Sequence, residues 1–196
     1  EISSLLFEDS DIVMISCMFS QDWNYALNVI KDVRLKCPET LIIAGGEHIT
    51  ALPEYSMESA PEIDICVLGE GEKTIQHILD DIKTNGTISK TIPGTCMRSE
   101  KGEIFQNNKQ PRIKNLDEPS WPDWEGFPVE NYFKEGHGFG VNFGGRTMPI
   151  LASRGCPYEC TFCSNPLMWT QYWNVRDPND VMLEMKYYIV VLQVNN

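Results

Sequence analysis

The chain has 196 residues, 42% of them hydrophobic and 22% charged, an ordinary composition for a globular protein with length enough for one large or two small domains. A formal net charge of −12 argues against nucleic acid as a partner, since proteins that bind its phosphates present basic surfaces. No apolar run approaches the ~20 residues of a membrane span, and Glu1-Ile-Ser-Ser does not open a signal peptide.

From the N-terminus, strand and helix patterns alternate. Asp11 to Cys17 is short and nearly all apolar, as a strand buried on both faces should be. Between Asp22 and Lys36, Trp23, Ala26, Leu27, Ile30 and Val33 recur at helical spacing, and Pro38 closes that helix. Thr40 to Ala44 reads as a second strand ending in Gly45-Gly46, followed by a short helix around Leu52 to Met57. Ile63 to Leu68 reads as a third strand ending in Gly69-Glu70-Gly71-Glu72. Ile75, Ile78, Leu79 and Ile82 then line one helix face. Repeated βα units of this kind predict a doubly wound, parallel α/β sheet over residues 1–90.

After Asn85-Gly86 the rhythm changes. Thr91 to Arg98 and Glu103 to Gln106 predict a β-hairpin, which we group with an ordered, proline-bearing linker over 91–145, anchored by Trp121 and Trp124. A glycine-rich stretch from Gly136 to Gly145 precedes a strand over Met148 to Ser153. His137, Gly138 and Gly140 fall in that stretch, without the strand-turn-helix context of a dinucleotide fingerprint. Asn179 to Leu192 predicts a final helix behind Asp177-Pro178.

Between that strand and that helix lies Ser153-Arg-Gly-Cys-Pro-Tyr-Glu-Cys-Thr-Phe-Cys-Ser-Asn165. Cys156, Cys160 and Cys163 are spaced to wrap one face of a metal cluster, yet supply three ligands where a closed site wants four. A zinc knuckle or an electron-transfer ferredoxin would need a fourth ligand, and no Cys or His follows within ten residues of Cys163. Seven cysteines, three of them clustered, in a chain without a signal peptide imply a reducing, cytoplasmic setting and metal binding rather than disulfides. Cys17, Cys37, Cys66 and Cys96 are expected to be core or structural.

The C-x3-C-x2-C loop, with Arg154-Gly155-Cys156-Pro157 before it and Phe162 beside the last cysteine, closely resembles the opening βα unit of radical S-adenosylmethionine enzymes. The resemblance implies a 4Fe-4S cluster on the three cysteines, S-adenosylmethionine on its open iron, and Phe162 near the adenine. It also implies an external one-electron reductant of flavodoxin or ferredoxin type. The first ninety residues resemble the cobalamin-binding domain found upstream of many such barrels. In a parallel sheet, ligands bind at the C-terminal strand ends, and here those are Ser16-Cys17-Met18, Gly45-Gly46-Glu47 and Gly69-Glu70-Gly71. The 26 residues between Met18 and Gly45 match that family's interval. Ser16, Gly45, Gly46, Glu47, Gly69, Glu70 and Gly71 are thereby implied to bind cobalamin. Without the cysteine loop, a flavodoxin-like nucleotide site would serve as well.

Two departures limit the transfer. The family's Asp-x-His-x-x-Gly element would precede Glu1, and His48 is not that histidine; it is expected to cap the next helix or line the pocket. The Gly-Gly-Glu that grips S-adenosylmethionine in these barrels lies downstream of the cysteines, so Gly45-Gly46-Glu47 does not inherit that role. The reading is thus a fragment beginning at a non-native Glu1, with a truncated start of the barrel over 146–196 and a ragged end from Tyr187 to Asn196. It implies a cobalamin-dependent C-methyltransferase acting on a small molecule, or a ring-forming relative. As a piece, the chain is expected to bind cofactors without turnover.

Overall fold

The structure is a computed structural model that describes residues 10–136 and 145–195. The glycine-rich stretch, with His137, Gly138 and Gly140, lies outside the described residues except at its two ends. The remainder divides into two compact units, residues 1–112 with 158–171, and residues 113–157 with 172–196.

In the first unit the expected alternation is present: β1 (Ile12–Ser16), α1 (Trp23–Lys36), β2 (Leu41–Gly45), α2 (Glu47–Ala51), α3 (Pro53–Ser59), β3 (Ile65–Val67) and α4 (Gly71–Asn85). Strands β1, β2 and β3 pair in parallel, in that order. The short helix expected around Leu52 to Met57 is two helices, because Pro53 cannot donate to the preceding turn and starts a new one.

The hairpin is not a separate element. Strands β4 (Thr95–Arg98) and β5 (Ile104–Gln106) continue the sheet antiparallel from β3, giving the order β1-β2-β3-β4-β5. Alternation along the strands then builds two cores. Ile42, Ala44, Cys66 and Cys96 pack with Ile30, Val33, Ile49 and Met57 under α1, α2 and α3. Ile43, Ile65, Val67 and Met97 pack with Ile78 of α4 on the opposite face.

The second unit contains α5 (Val129–Lys134), β6 (Ser153–Arg154), β7 (Asn174–Val175) and α7 (Pro178–Val190). The strand expected over Met148 to Ser153 is reduced to the two-residue β6, paired antiparallel with β7. Pro149 lacks a ladder donor, and among the described residues the run before Ser153 has no partner strand. The final helix forms as predicted, with the Asp177 carboxylate accepting from the Asn179 amide at its N-cap.

Polar contacts on buried side chains hold α7 in this unit. Arg176, 8% exposed, pairs with both Asp180 and Glu184, and the Glu184 side chain is only 1% exposed. Tyr188 donates to Glu184 and accepts from the Trp124 indole N–H at 3.0 Å, while Trp121 donates to Asp180 at 3.1 Å. Both tryptophans are therefore the packing anchors the sequence suggests. Burial, with the Glu184 carboxylate beside it, pushes the Tyr188 phenol up to about 12.

Removing Arg176 would strand Glu184 as a buried, uncompensated charge. Arg176→Met is expected to lower the urea unfolding free energy of the chain by about 3 kcal/mol, and the Arg176→Met/Glu184→Leu pair to recover most of the loss. A single variant within about 0.5 kcal/mol of the parent would show that the network contributes little.

Candidate functional site

The C-terminal ends of β1, β2 and β3 form one edge, and backbone bonds stitch it together. Ser16 stands opposite Gly45 in the register. The Cys17 amide donates to the Gly45 carbonyl at 2.8 Å, and the His48 amide donates back to the Cys17 carbonyl at 3.2 Å. Gly46 sits between them at φ +98°, where an added Cβ would lie 2.5 Å from the Cys17 oxygen. Only glycine fits that approach. At the end of β3, Gly69 has φ +73° with nothing within 4 Å of where its Cβ would stand, so the edge there is open.

Thr50 ties the two glycine turns together. Its hydroxyl donates to the Gly46 carbonyl at 2.9 Å and accepts from the Gly69 amide at 2.9 Å. The sequence reading assigned Thr50 no role. Its signal is a threonine four residues after a strand-end glycine, placed to back-bond into its own helix.

Of the predicted edge residues, Ser16 is exposed, Gly45, Gly46, Glu47, Gly69 and Gly71 are half-buried, and Glu70 is buried. Edge, openness and glycine approach fit a large flat ligand. The Glu70 carboxylate, 3% exposed, pairs with Arg112 at 3.4 Å. Arg112 in turn donates to the Trp169 carbonyl and stacks over the Trp169 ring at 5.6 Å. The Glu47 carboxylate accepts from the Ser164 hydroxyl. The short helix α6 (Asn165–Met168) thus lies in the first unit, on this edge.

His48 neither caps α2 nor opens to solvent. It is buried, stacked on Trp23 at 4.7 Å with Tyr55 edge-on, and its Nδ1 meets the Ser20 hydroxyl at 2.9 Å. His77 is exposed.

The cysteines fall into two classes. Cys17, Cys37, Cys66 and Cys96 are buried and unpaired by disulfide. Burial pushes the Cys17 and Cys66 thiols up, and that of Cys96 to about 11, so at neutral pH these stay protonated and inert. Cys160 and Cys163 are exposed in the first unit, and Cys156 is half-buried in the second. The Cys163 amide donates to the Cys160 carbonyl at 3.0 Å, and the Asn165 amide donates to the Cys163 sulfur at 3.4 Å. Phe162 is 90% exposed.

Among the described residues, no three His, Cys, Asp or Glu side chains converge on a single-ion site. Reduced cysteine thiols are the soft donors that zinc and iron–sulfur clusters both take. No helix among the described residues is long and apolar enough to cross a membrane.

The family model for the B12 binding domain matches residues 2–79. An uncharacterized methyltransferase of Pyrococcus horikoshii is 32% identical over 90% of this chain and 36% of its own length. The anaerobic magnesium-protoporphyrin IX monomethyl ester cyclase of Cereibacter sphaeroides is also 32% identical, over 76% of this chain and 23% of its own. The fold superposes on the radical S-adenosylmethionine methyltransferase TsrM from Kitasatospora setae, solved with cobalamin and a [4Fe-4S] cluster, with a TM-score of 0.74 at 18% identity. That match covers 98% of this chain and 38% of TsrM. The chain thus spans roughly a third or less of the curated relatives it matches.

Two outcomes are expected from the edge. Gly46→Ala should cost about 2 kcal/mol or more in urea unfolding, and Gly69→Ala, strained in φ but unobstructed, only about 1 kcal/mol. Equal costs would show that the approach to Cys17 is not limiting.

Burial lowers the His48 pKa from its ordinary 6.5. Just below pH 6.5 the folded chain therefore holds fewer protons than the unfolded one, so this stability is full above that pH and is lost as pH falls. His48→Phe, which keeps a ring against Trp23, should flatten the stability slope just below pH 6.5. A slope unchanged in that variant would assign the proton uptake to other groups.

Proposed function

We propose, from the match of the B12 binding domain model to residues 2–79, that the chain carries the cobalamin edge and cluster loop of a cobalamin-dependent radical S-adenosylmethionine enzyme that methylates an unactivated carbon of a small molecule. One observation carries the reading. The Ser164 hydroxyl, next to Cys163, bonds to Glu47, next to Gly45-Gly46, so two candidate cofactor loops meet within one compact unit.

In this reading Ser16, Gly45, Gly46, Gly69 and Gly71 receive the corrin. Cys156, Cys160 and Cys163 hold a 4Fe-4S cluster, and the exposed Phe162 ring packs against S-adenosylmethionine. When bound, these groups supply one-electron cleavage of S-adenosylmethionine and a methyl carrier, the electron coming from a flavodoxin- or ferredoxin-type donor in the cytoplasm. The chain's own residues contribute placement. Glycine turns admit the backbone close to a flat ring system. The Asn165 amide on the Cys163 sulfur is the kind of hydrogen bond that sets a cluster's potential. Fixed spacing between two loops replaces a bimolecular encounter by a defined geometry.

A second reading, a ring-forming oxidative reaction, draws support from the equal 32% identity to the cyclase.

Anaerobic reconstitution with iron and sulfide is expected to give a four-iron electron paramagnetic resonance signal that S-adenosylmethionine perturbs and Cys156→Ala abolishes. Hydroxocobalamin should remain with the chain through gel filtration. A zinc-only protein, or a cluster intact in Cys156→Ala, would sink the cluster assignment. Loss of all corrin absorbance on the column would reduce the first unit to a generic α/β sheet.

A further inference from the structure

Helix α6 has only four residues, far too few to persist by itself, since helices shorter than ~12–15 residues are marginal in water. Its two capping residues are Ser164 and Trp169. These are the two residues that the edge acids reach: Ser164 donates to Glu47, and Trp169 is held through Arg112, which Glu70 pairs. The helix is therefore fixed at both ends from the sheet. Its internal bonds, Met168 amide to Ser164 carbonyl at 3.1 Å and Trp169 amide to Asn165 carbonyl at 2.7 Å, close between those two anchors.

We propose that Glu47 and Glu70 are positioning residues whose carboxylates clamp α6, and with it the Cys160–Cys163 turn, onto the strand ends, instead of contacting the corrin. This rests on the cobalamin reading only in saying what the acids do not touch. The chemistry supports the division of labour. A carboxylate as buried as that of Glu70 is costly without a compensating charge beside it. Arg112 supplies that charge, and its planar fork and stacking face engage Trp169 in the same geometry. Glu47, half-buried, accepts a hydroxyl that directly follows Cys163 in sequence. The side chains sequence reading placed toward a ligand are thus already committed to another segment of the chain.

Hydrogen–deuterium exchange on the whole chain tests this directly. Ser164→Ala and Arg112→Met are each expected to speed exchange of the Met168 and Trp169 amides by about tenfold or more, with the β1, β2 and β3 amides unchanged. Ser164→Thr, which keeps the hydroxyl, should restore the parent rate. Should Arg112→Met also loosen the sheet, the exposed Ser164 site still decides. Unchanged exchange at Met168 and Trp169 in Ser164→Ala overturns the clamp.

Glu47→Gln keeps an oxygen for Ser164 but removes the charge, so its hydroxocobalamin Kd should stay within about twofold of the parent. A weakening of about tenfold makes Glu47 a corrin contact and overturns the assignment. A parent chain that retains no hydroxocobalamin would defeat the cobalamin reading, while the exchange result would still judge the clamp.

Discussion

The approach of Gly46 to the Cys17 carbonyl sets the shape of the first unit's ligand edge. Cys17 donates to Gly45 and accepts from His48, so the ends of β1 and β2 are locked one residue beyond the last strand pair. The Gly46 φ of +98° and the 2.5 Å to a would-be Cβ show how little room the lock leaves. From it α2 must start at Glu47, which puts His48 against Trp23 and aims Thr50 at Gly69. The second glycine turn is thus positioned by the first, through one hydroxyl.

Sheet strands and long helices were legible because burial imposes a period. Ile42, Ile43 and Ala44 are inside on alternating faces, and Trp23, Ala26, Ile30 and Val33 repeat on one helix face. The turn residues were equally legible, since Gly45-Gly46 and Gly69 stand where strand ends need conformations other residues resist. Pairing across the chain left no such trace. That the hairpin extends the sheet from β3 depends on which edge strand is free, not on the hairpin's own pattern. The strand expected over Met148 to Ser153 has an apolar pattern, but a strand needs a partner as well as a pattern.

The least legible part was the role of the acids. Ser164 and Glu47 are 117 residues apart, and Arg112 stands in a stretch that reads as linker. Position at a strand end marks Glu47 and Glu70 as facing a ligand in any parallel sheet. What the sequence cannot display is that a later segment returns to use the same two side chains. The cysteine spacing, by contrast, was legible because ligand chemistry is local: three thiols within eight residues stay near one another in any fold.

Electrostatics gives this arrangement a thermodynamic consequence. In a chain of net charge −12, a carboxylate only 3% exposed is costly unless it is compensated on the spot. Arg112 compensates Glu70, but a half-buried guanidinium must also place its other N–H groups, and one goes to the Trp169 carbonyl. Removing the segment that holds Trp169 would therefore leave Arg112 under-satisfied and weaken its hold on Glu70. Docking of the cysteine segment and ordering of the β3 end are consequently linked equilibria, each stabilising the other by the same free energy. The contacts from Glu47 and from Glu70 through Arg112 thus tie the Cys160–Cys163 segment to the strand ends that carry the glycine turns.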